Sequence, residues 1–200
     1  MSSPLPETQK VIYPAINSNS KHYFEEIPLP KPTENQVIVK VEYAPLHPSD
    51  LTFLRGFYRI PGQPPEPCGS EGSGIIVSLG TNLKVPHKIG ERVFFFGAGG
   101  YNQYVTRDSE DVQEIPENLS LEEAASHFLN PSTVYYMGTL AEGHKAAIHT
   151  VGASALGRML IKYFKYKGIK LINIVRKDEQ IEELQAEGAD YMLNSQGGNF

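Results

Sequence analysis

The chain has 200 residues, a formal net charge of −5 and a single cysteine, Cys68. That length suits one full domain or a domain and a half; the acidic balance gives no electrostatic case for nucleic acid or an anionic membrane, and one cysteine excludes an internal disulfide and points to a reducing compartment. No apolar run approaches the ~18 residues that span a bilayer, and residues 1–10 carry neither an apolar signal core nor an Arg-rich transit pattern, so the cytoplasm is the expected location, with the mitochondrion left open.

Up to about residue 120 the pattern is all-β. Gln36–Tyr43 alternates apolar and polar residues with period two, as a half-buried strand does. Gly74–Leu79, Arg92–Phe96 and Asn102–Val105 are further short apolar runs between Gly- and Pro-rich turns. Ser49 and Asp50 are placed to cap a short helix over Leu51–Arg55. Two glycine clusters, Gly69 to Gly74 and Gly97 to Gly100, resemble phosphate loops, but each adjoins strand-like sequence where a phosphate loop needs a helix. Both are read as turns. Ser120 and Glu123 then have capping-box spacing, and a helix is predicted through Tyr135 to Leu140.

The most informative segment follows. Ala146–Val151 is a short apolar run ending at Gly152, and Gly157 stands five residues on. Leu156, Met159, Leu160, Tyr163 and Phe164 then recur at helical spacing until Gly168, and Leu171–Val175 is a second apolar run. Strand, small-residue turn, helix and strand make the βαβ unit that seats a dinucleotide pyrophosphate on a helix N-terminus. The expected cofactor contacts are Gly152, Ala153, Ser154, Ala155, Leu156 and Gly157, with Ser154 in the middle glycine place of the usual fingerprint. The second strand ends in Val175, Arg176 and Lys177, with no carboxylate before Asp178. Cations suit a 2′-phosphate and give nothing to a bare ribose diol, so NADPH is expected over NADH. The competing reading makes Arg176 and Lys177 solvated cations ahead of a helix capped by Asp178. A helix over Asp178–Glu187 and a third apolar run, Tyr191–Leu193, close the chain.

Four segments together carry a family resemblance. Val39 to Asp50 (Val-Lys-Val-Glu-Tyr-Ala-Pro-Leu-His-Pro-Ser-Asp) resembles a strand leading to an Asn-Pro-Ser-Asp turn, with His47 in place of the Asn. Pro67 to Val77 resembles a Gly-x-Glu-Gly-x-Gly segment, Gly90-Glu-Arg-Val a Gly-Asp-Arg-Val strand entry, and Asn130-Pro-Ser-Thr133 an Asn-Pro-x-Thr helix start. Matched in order, they resemble the medium-chain dehydrogenase/reductase superfamily, in its zinc-independent quinone-reductase and enoyl-thioester-reductase branch. The resemblance implies an α/β chain: a GroES-like β-barrel-type catalytic domain over residues 1–125, then an incomplete Rossmann domain over 126–200, with the active site in the cleft between them. It also implies an NADPH-dependent oxidoreductase that transfers hydride to an activated C=C bond, a quinone or an enone, on a small-molecule substrate.

The same resemblance assigns two catalytic candidates. Tyr58 matches an active-site tyrosine whose phenol can donate to a developing enolate oxygen, with loop anchoring beside the Pro61–Pro67 stretch as the alternative. Thr133 matches a residue near the nicotinamide, with a helix-start role as its alternative. Zinc is not expected. The zinc-dependent branch needs a Cys where His47 stands and a His where Ser70 stands, and a structural zinc loop needs four cysteines.

Strands four to six of a Rossmann sheet find no counterpart before Phe200, so strand one is expected to have an unpaired edge. Three explanations are open: a piece of a longer reductase, completion by a second copy or a partner chain, or a nucleotide- or partner-binding module without turnover.

Overall fold

The structure is a computed structural model and describes residues 4–16, 21–58, 60 and 63–197. It divides into two compact units, Met1–Phe128 and Leu129–Phe200.

The first unit opens with an antiparallel hairpin of β1 (Thr8–Tyr13) and β2 (Tyr23–Pro28). Its main body is a five-stranded antiparallel sheet of β3 (Gln36–Tyr43), β4 (Glu71–Leu79), β5 (Arg92–Phe96), β6 (Tyr104–Asp108) and β7 (Val112–Glu114). The spatial order is β6-β3-β4-β5-β7. Irregular register between β3 and β4, at Ile38/Val39 and again at Val41/Tyr43, bends the pair and curls the sheet into a half-barrel. Val37, Val39, Ile76, Val93, Phe95, Val105 and Val112 fill its inner face. These are the alternate residues of each strand, as period-two patterning requires.

Three sequence expectations need correction here. The Gly69–Gly74 cluster is not all turn, because β4 already starts at Glu71. Glycine stands at 74 for a different reason: a Cβ there would lie 2.0 Å from the Lys40 carbonyl oxygen on β3. The helix after β3 is α1 (Pro48–Leu54), one turn earlier than read, and its N-cap is His47. Asp50 sits in the first turn and accepts from the His47 backbone N–H at 2.8 Å, while Ser49 lies inside the helix. The start shifts because Pro48, with no N–H to satisfy, fits the first helical position. β6 begins two residues later than expected and runs to Asp108. By contrast, Ser120 caps α2 (Leu121–Ala124) and exchanges both capping-box bonds with Glu123, as its spacing indicated. Pro61 and Gly62 of the proline-rich stretch lie outside the described residues.

The second unit is a three-stranded parallel sheet, in spatial order β10-β9-β8, with helices between its strands. It contains α3 (Leu129–Ala141), β8 (Ala147–His149), α4 (Ala155–Lys167), β9 (Leu171–Val175), α5 (Asp178–Ala186) and β10 (Tyr191–Asn194). Leu160, Ile161 and Phe164 of α4 pack with Leu171, Val175 and Leu184. Burial of each such side chain contributes about 1.5–3 kcal/mol relative to exposure. Among the described residues β8 pairs with β9 alone, and Ile148 at its centre is 65% exposed. That edge is the unpaired one foreseen from the sequence. No helix among the described residues is long and apolar enough to cross a membrane.

Candidate functional sites

In the second unit, β8 ends at His149 and the chain turns through residues 150–154 into α4. Ser154 is the N-cap, its Oγ accepting from the Gly157 N–H at 3.0 Å. Gly157 lies against the incoming turn so closely that a Cβ there would be 2.2 Å from the Gly152 carbonyl oxygen. Gly152 in turn rests on β9, where its Cβ would be 2.8 Å from that of Asn173. The two outer glycines therefore let the helix start sit directly on the sheet. The turn that leads into α4 borders an open hollow of about 510 Å³.

Gly152, Ala153, Ser154 and Arg176 line that hollow, together with Thr150 and Gln180. The bend is thus not filled by side chains. The other four expected contacts do not line it. Ala155 is exposed at the first position of α4, Leu156 packs on the core, Gly157 is buried beneath the turn, and Lys177 is the exposed N-cap of α5. Gln180 escaped the sequence reading. Its Oε1 accepts from the Arg176 N–H at 3.0 Å, which ties the end of β9 to α5. Thr133 lies half-buried in α3, with its Oγ1 donating to the Leu129 carbonyl at 2.8 Å.

Beneath the same turn lies a polar pair that sequence reading also missed. His149 (9% exposed) and Asn173 (1%) are register partners on β8 and β9. His149 Nδ1 and Asn173 Oδ1 have no hydrogen-bond partner among the described residues. Burial pushes the His149 imidazole below its ordinary pKa, so the ring is neutral in the fold. As pH falls through about 6.5 the unfolded chain takes up a proton that the folded ring refuses, and stability is lost toward the lower folded value. Urea unfolding at pH 7.5 and 5.5 is expected to show a larger acid-side loss for the native chain than for His149→Gln. Equal losses would rule out His149 as the source.

In the first unit, α1, the loop ahead of β4 and the turn after β5 enclose a hollow of about 210 Å³. Asp50, Phe53, Tyr58, Pro67, Ser70 and Phe96 contribute to its wall. Tyr58 is 58% exposed and its ring stacks on Phe53 with centroids 6.4 Å apart. Phe96 stacks on Phe128 at 4.5 Å. Close by are the donors that a metal would compete for. His47 Nε2 lies 2.6 Å from Glu71 Oε1, and Glu71 Oε2 accepts from the Phe128 N–H at 3.1 Å. Cys68 is fully buried, and burial, reinforced by the charge of Asp50, pushes its thiol up to about 12. Among the described residues no cluster of three His, Cys, Asp or Glu side chains could hold a metal ion. The donor set does not fit a catalytic zinc.

Comparison with known proteins finds relatives along most of the chain. Residues 33–117 match the alcohol dehydrogenase GroES-like domain. A mitochondrial enoyl-[acyl-carrier-protein] reductase of Caenorhabditis elegans is 32% identical over 176 residues, which is 83% of this chain and 51% of that protein. An Arabidopsis thaliana protein of the same name is 29% identical, over 94% of this chain and 53% of its own length. A solved structure from Mesorhizobium loti, described as a candidate NADPH:quinone reductase, superposes with a TM-score of 0.83 at 29% identity, covering 99% of this chain and 63% of that one.

These findings support membership of the medium-chain dehydrogenase/reductase superfamily. Within it, the chain is most similar in kind to the quinone- and enoyl-reductase branch that uses no zinc. Escherichia coli quinone oxidoreductase, solved with NADPH, shares the fold with a TM-score of 0.79 at 24% identity, over 94% of this chain and 58% of its own. The superfamily architecture accounts for both parts of the structure, a curled GroES-like half-barrel and a parallel sheet consistent with part of a Rossmann domain. The chain spans about half the length of the curated relatives it matches.

Proposed function

We propose that the protein is an NADPH-dependent oxidoreductase that reduces an activated C=C bond, a quinone or an enone, without zinc. The first unit serves as the catalytic domain and the second as the N-terminal half of the nucleotide-binding domain. The observation that carries this reading is the open hollow at the Gly152 turn, with the α4 N-terminus on one side and Arg176 on its wall. Unsatisfied N–H groups and the positive end of a helix dipole favour a pyrophosphate there. The Ser154 oxygen is held by the Gly157 N–H, which leaves the hydroxyl hydrogen available to a phosphate oxygen. Arg176, on the wall of the same hollow, supplies a guanidinium suited to an adenosine 2′-phosphate. The names of the relatives, enoyl-[acyl-carrier-protein] reductases and a candidate NADPH:quinone reductase, support the same class.

When bound, the reduced nicotinamide supplies a hydride to the electron-poor carbon of the substrate. The chain's own task is to steady the negative charge that then gathers on the substrate oxygen. Tyr58, in the wall of the first unit's hollow, presents a neutral phenol that can donate to that oxygen. Thr133 has already given its hydrogen to Leu129, so its remaining capacity is as an acceptor near the nicotinamide. Tyr58→Phe is expected to lower kcat by about 10²-fold with little change in thermal stability, because loss of one such donor typically has that effect. A Tyr58→Phe enzyme with unchanged kcat for an enone would return Tyr58 to loop anchoring.

The direct test is titration with NADPH and NADH. The chain has no tryptophan, so the signal is the cofactor's own nicotinamide fluorescence. Saturable enhancement with NADPH is expected, and its absence would reject the proposal. The cytoplasm is our proposed location, and the mitochondrial relatives make the mitochondrion the alternative to check by fractionation.

The β8 edge favours a second reading alongside the first. With its outer side unpaired among the described residues, it suits a partner that extends the sheet, either further chain or a second copy. Light scattering distinguishes a self-associated species from a monomer.

A further inference from the structure

Asp50 and Ser70 both line the hollow of the first unit, and their hydrogen bonds fix what they can offer a ligand. The Asp50 side chain belongs to a residue only 4% exposed. Its Oδ2 accepts from the His47 backbone N–H at 2.8 Å, and its Oδ1 accepts from Ser70 Oγ at 2.7 Å. An ionised carboxylate can only accept, so the single hydroxyl hydrogen of Ser70 is committed to Asp50. Toward anything else Ser70 turns an oxygen with free lone pairs. The negative charge of Asp50 is felt nearby: after burial, it is the next cause raising the pKa of both the Cys68 thiol and the Tyr101 phenol. The wall therefore includes a residue whose phenol can donate, Tyr58, and acceptor oxygens on Ser70 and Asp50.

We infer that this hollow takes a neutral α,β-unsaturated carbonyl compound that also carries a hydroxyl, with the carbonyl oxygen meeting Tyr58 and the hydroxyl donating to Ser70. Ser70 is then the residue that sets specificity, and Asp50 is a positioning residue that keeps the Ser70 hydrogen turned away from the ligand. A plain quinone has acceptors at both ends and would set a carbonyl oxygen against the lone pairs of Ser70. A hydroxylated enone satisfies both walls. The inference deepens the proposed function and rests on the first unit's hollow being the substrate site.

Two probes differing by one hydroxyl test it: cyclohex-2-enone and 4-hydroxycyclohex-2-enone, each titrated into the full chain without cofactor and followed by NMR shift changes at Phe53 and Tyr58. The hydroxylated probe is expected to bind about fivefold tighter, the discrimination typical of one neutral hydrogen bond. Ser70→Ala is expected to abolish the preference, and Ser70→Thr, which keeps the hydroxyl, to retain it. The thermal transitions of both variants check that they fold. Equal binding by the native chain, failure of both probes to bind, or a preference that survives in a folded Ser70→Ala chain would overturn the inference. NADPH titration reports separately on the proposed function. A chain that binds NADPH yet treats the probes alike keeps that function and loses this specificity.

Discussion

Gly157→Ala is expected to remove NADPH binding and destabilise the second unit by about 3 kcal/mol, the upper part of the range for overpacking a close contact. The added Cβ would lie 2.2 Å from the Gly152 carbonyl oxygen and 2.8 Å from that of Val151. Both are backbone atoms, so no rotamer change relieves the clash. Either α4 lifts from the turn or the turn shifts, and each movement deforms the wall that Gly152, Ala153 and Ser154 give the hollow. Chemical denaturation of the native chain and the variant, followed by far-UV circular dichroism, reads the stability change. NADPH fluorescence reads the binding. A folded Gly157→Ala chain with native NADPH affinity would show that the close approach of helix and turn does not shape the site.

Arg176→Gln is expected to weaken NADPH binding by about 10- to 100-fold and leave NADH binding nearly unchanged, because hydrogen bonds to a charged phosphate are worth about 1.5–3 kcal/mol. Arg176 is exposed and lines the hollow through which the turn and the end of β9 face solvent. Its backbone is tied to Gln180 and its side chain makes no ion pair among the described residues. Little stability should therefore be lost in the variant. Competition titrations at fixed ionic strength separate this effect from general screening of a surface cation. Equal weakening of both cofactors would mean that Arg176 contacts a part common to them. No change in either would leave it a solvated cation.

Particular elements show where sequence reading succeeds and where it stops. β3, β5 and β9 have the bounds their patterns indicated, because each strand's own side chains carry its burial code. The hairpin of β1 and β2 was not foreseen. Tyr-Phe-Glu-Glu-Ile-Pro places two carboxylates in mid-strand, and the strand holds its shape by pairing with β1 rather than by burying a face. β7, three residues long, is too short to show any period. The glycines at 72 and 74 looked like turn residues because sequence does not distinguish a glycine needed for backbone freedom from one needed to admit a neighbouring strand. At 74 the neighbour is the Lys40 carbonyl, thirty-four positions away in the chain.

The site divides along the same line. The Gly152 to Gly157 spacing and the cations after Val175 are local, and they sufficed to locate the turn, the helix start and Arg176. The Asp50–Ser70 bond, the Glu71 bridge to His47 and Phe128, and the buried His149 beside Asn173 join residues 20 to 57 positions apart. Such pairings leave no periodic trace, since a lone polar residue in sequence looks alike whether it will meet water or a buried partner. The amino-acid order by itself determined β3, β5 and β9, the α4 helix, the small-residue turn ahead of it and the family resemblance. Only the folded chain decided which residues line each hollow, which hydrogen each hydroxyl has left to give, and that Ala155, Leu156, Gly157 and Lys177 stand off the hollow's wall, because those outcomes depend on three-dimensional approach between segments that the sequence keeps apart.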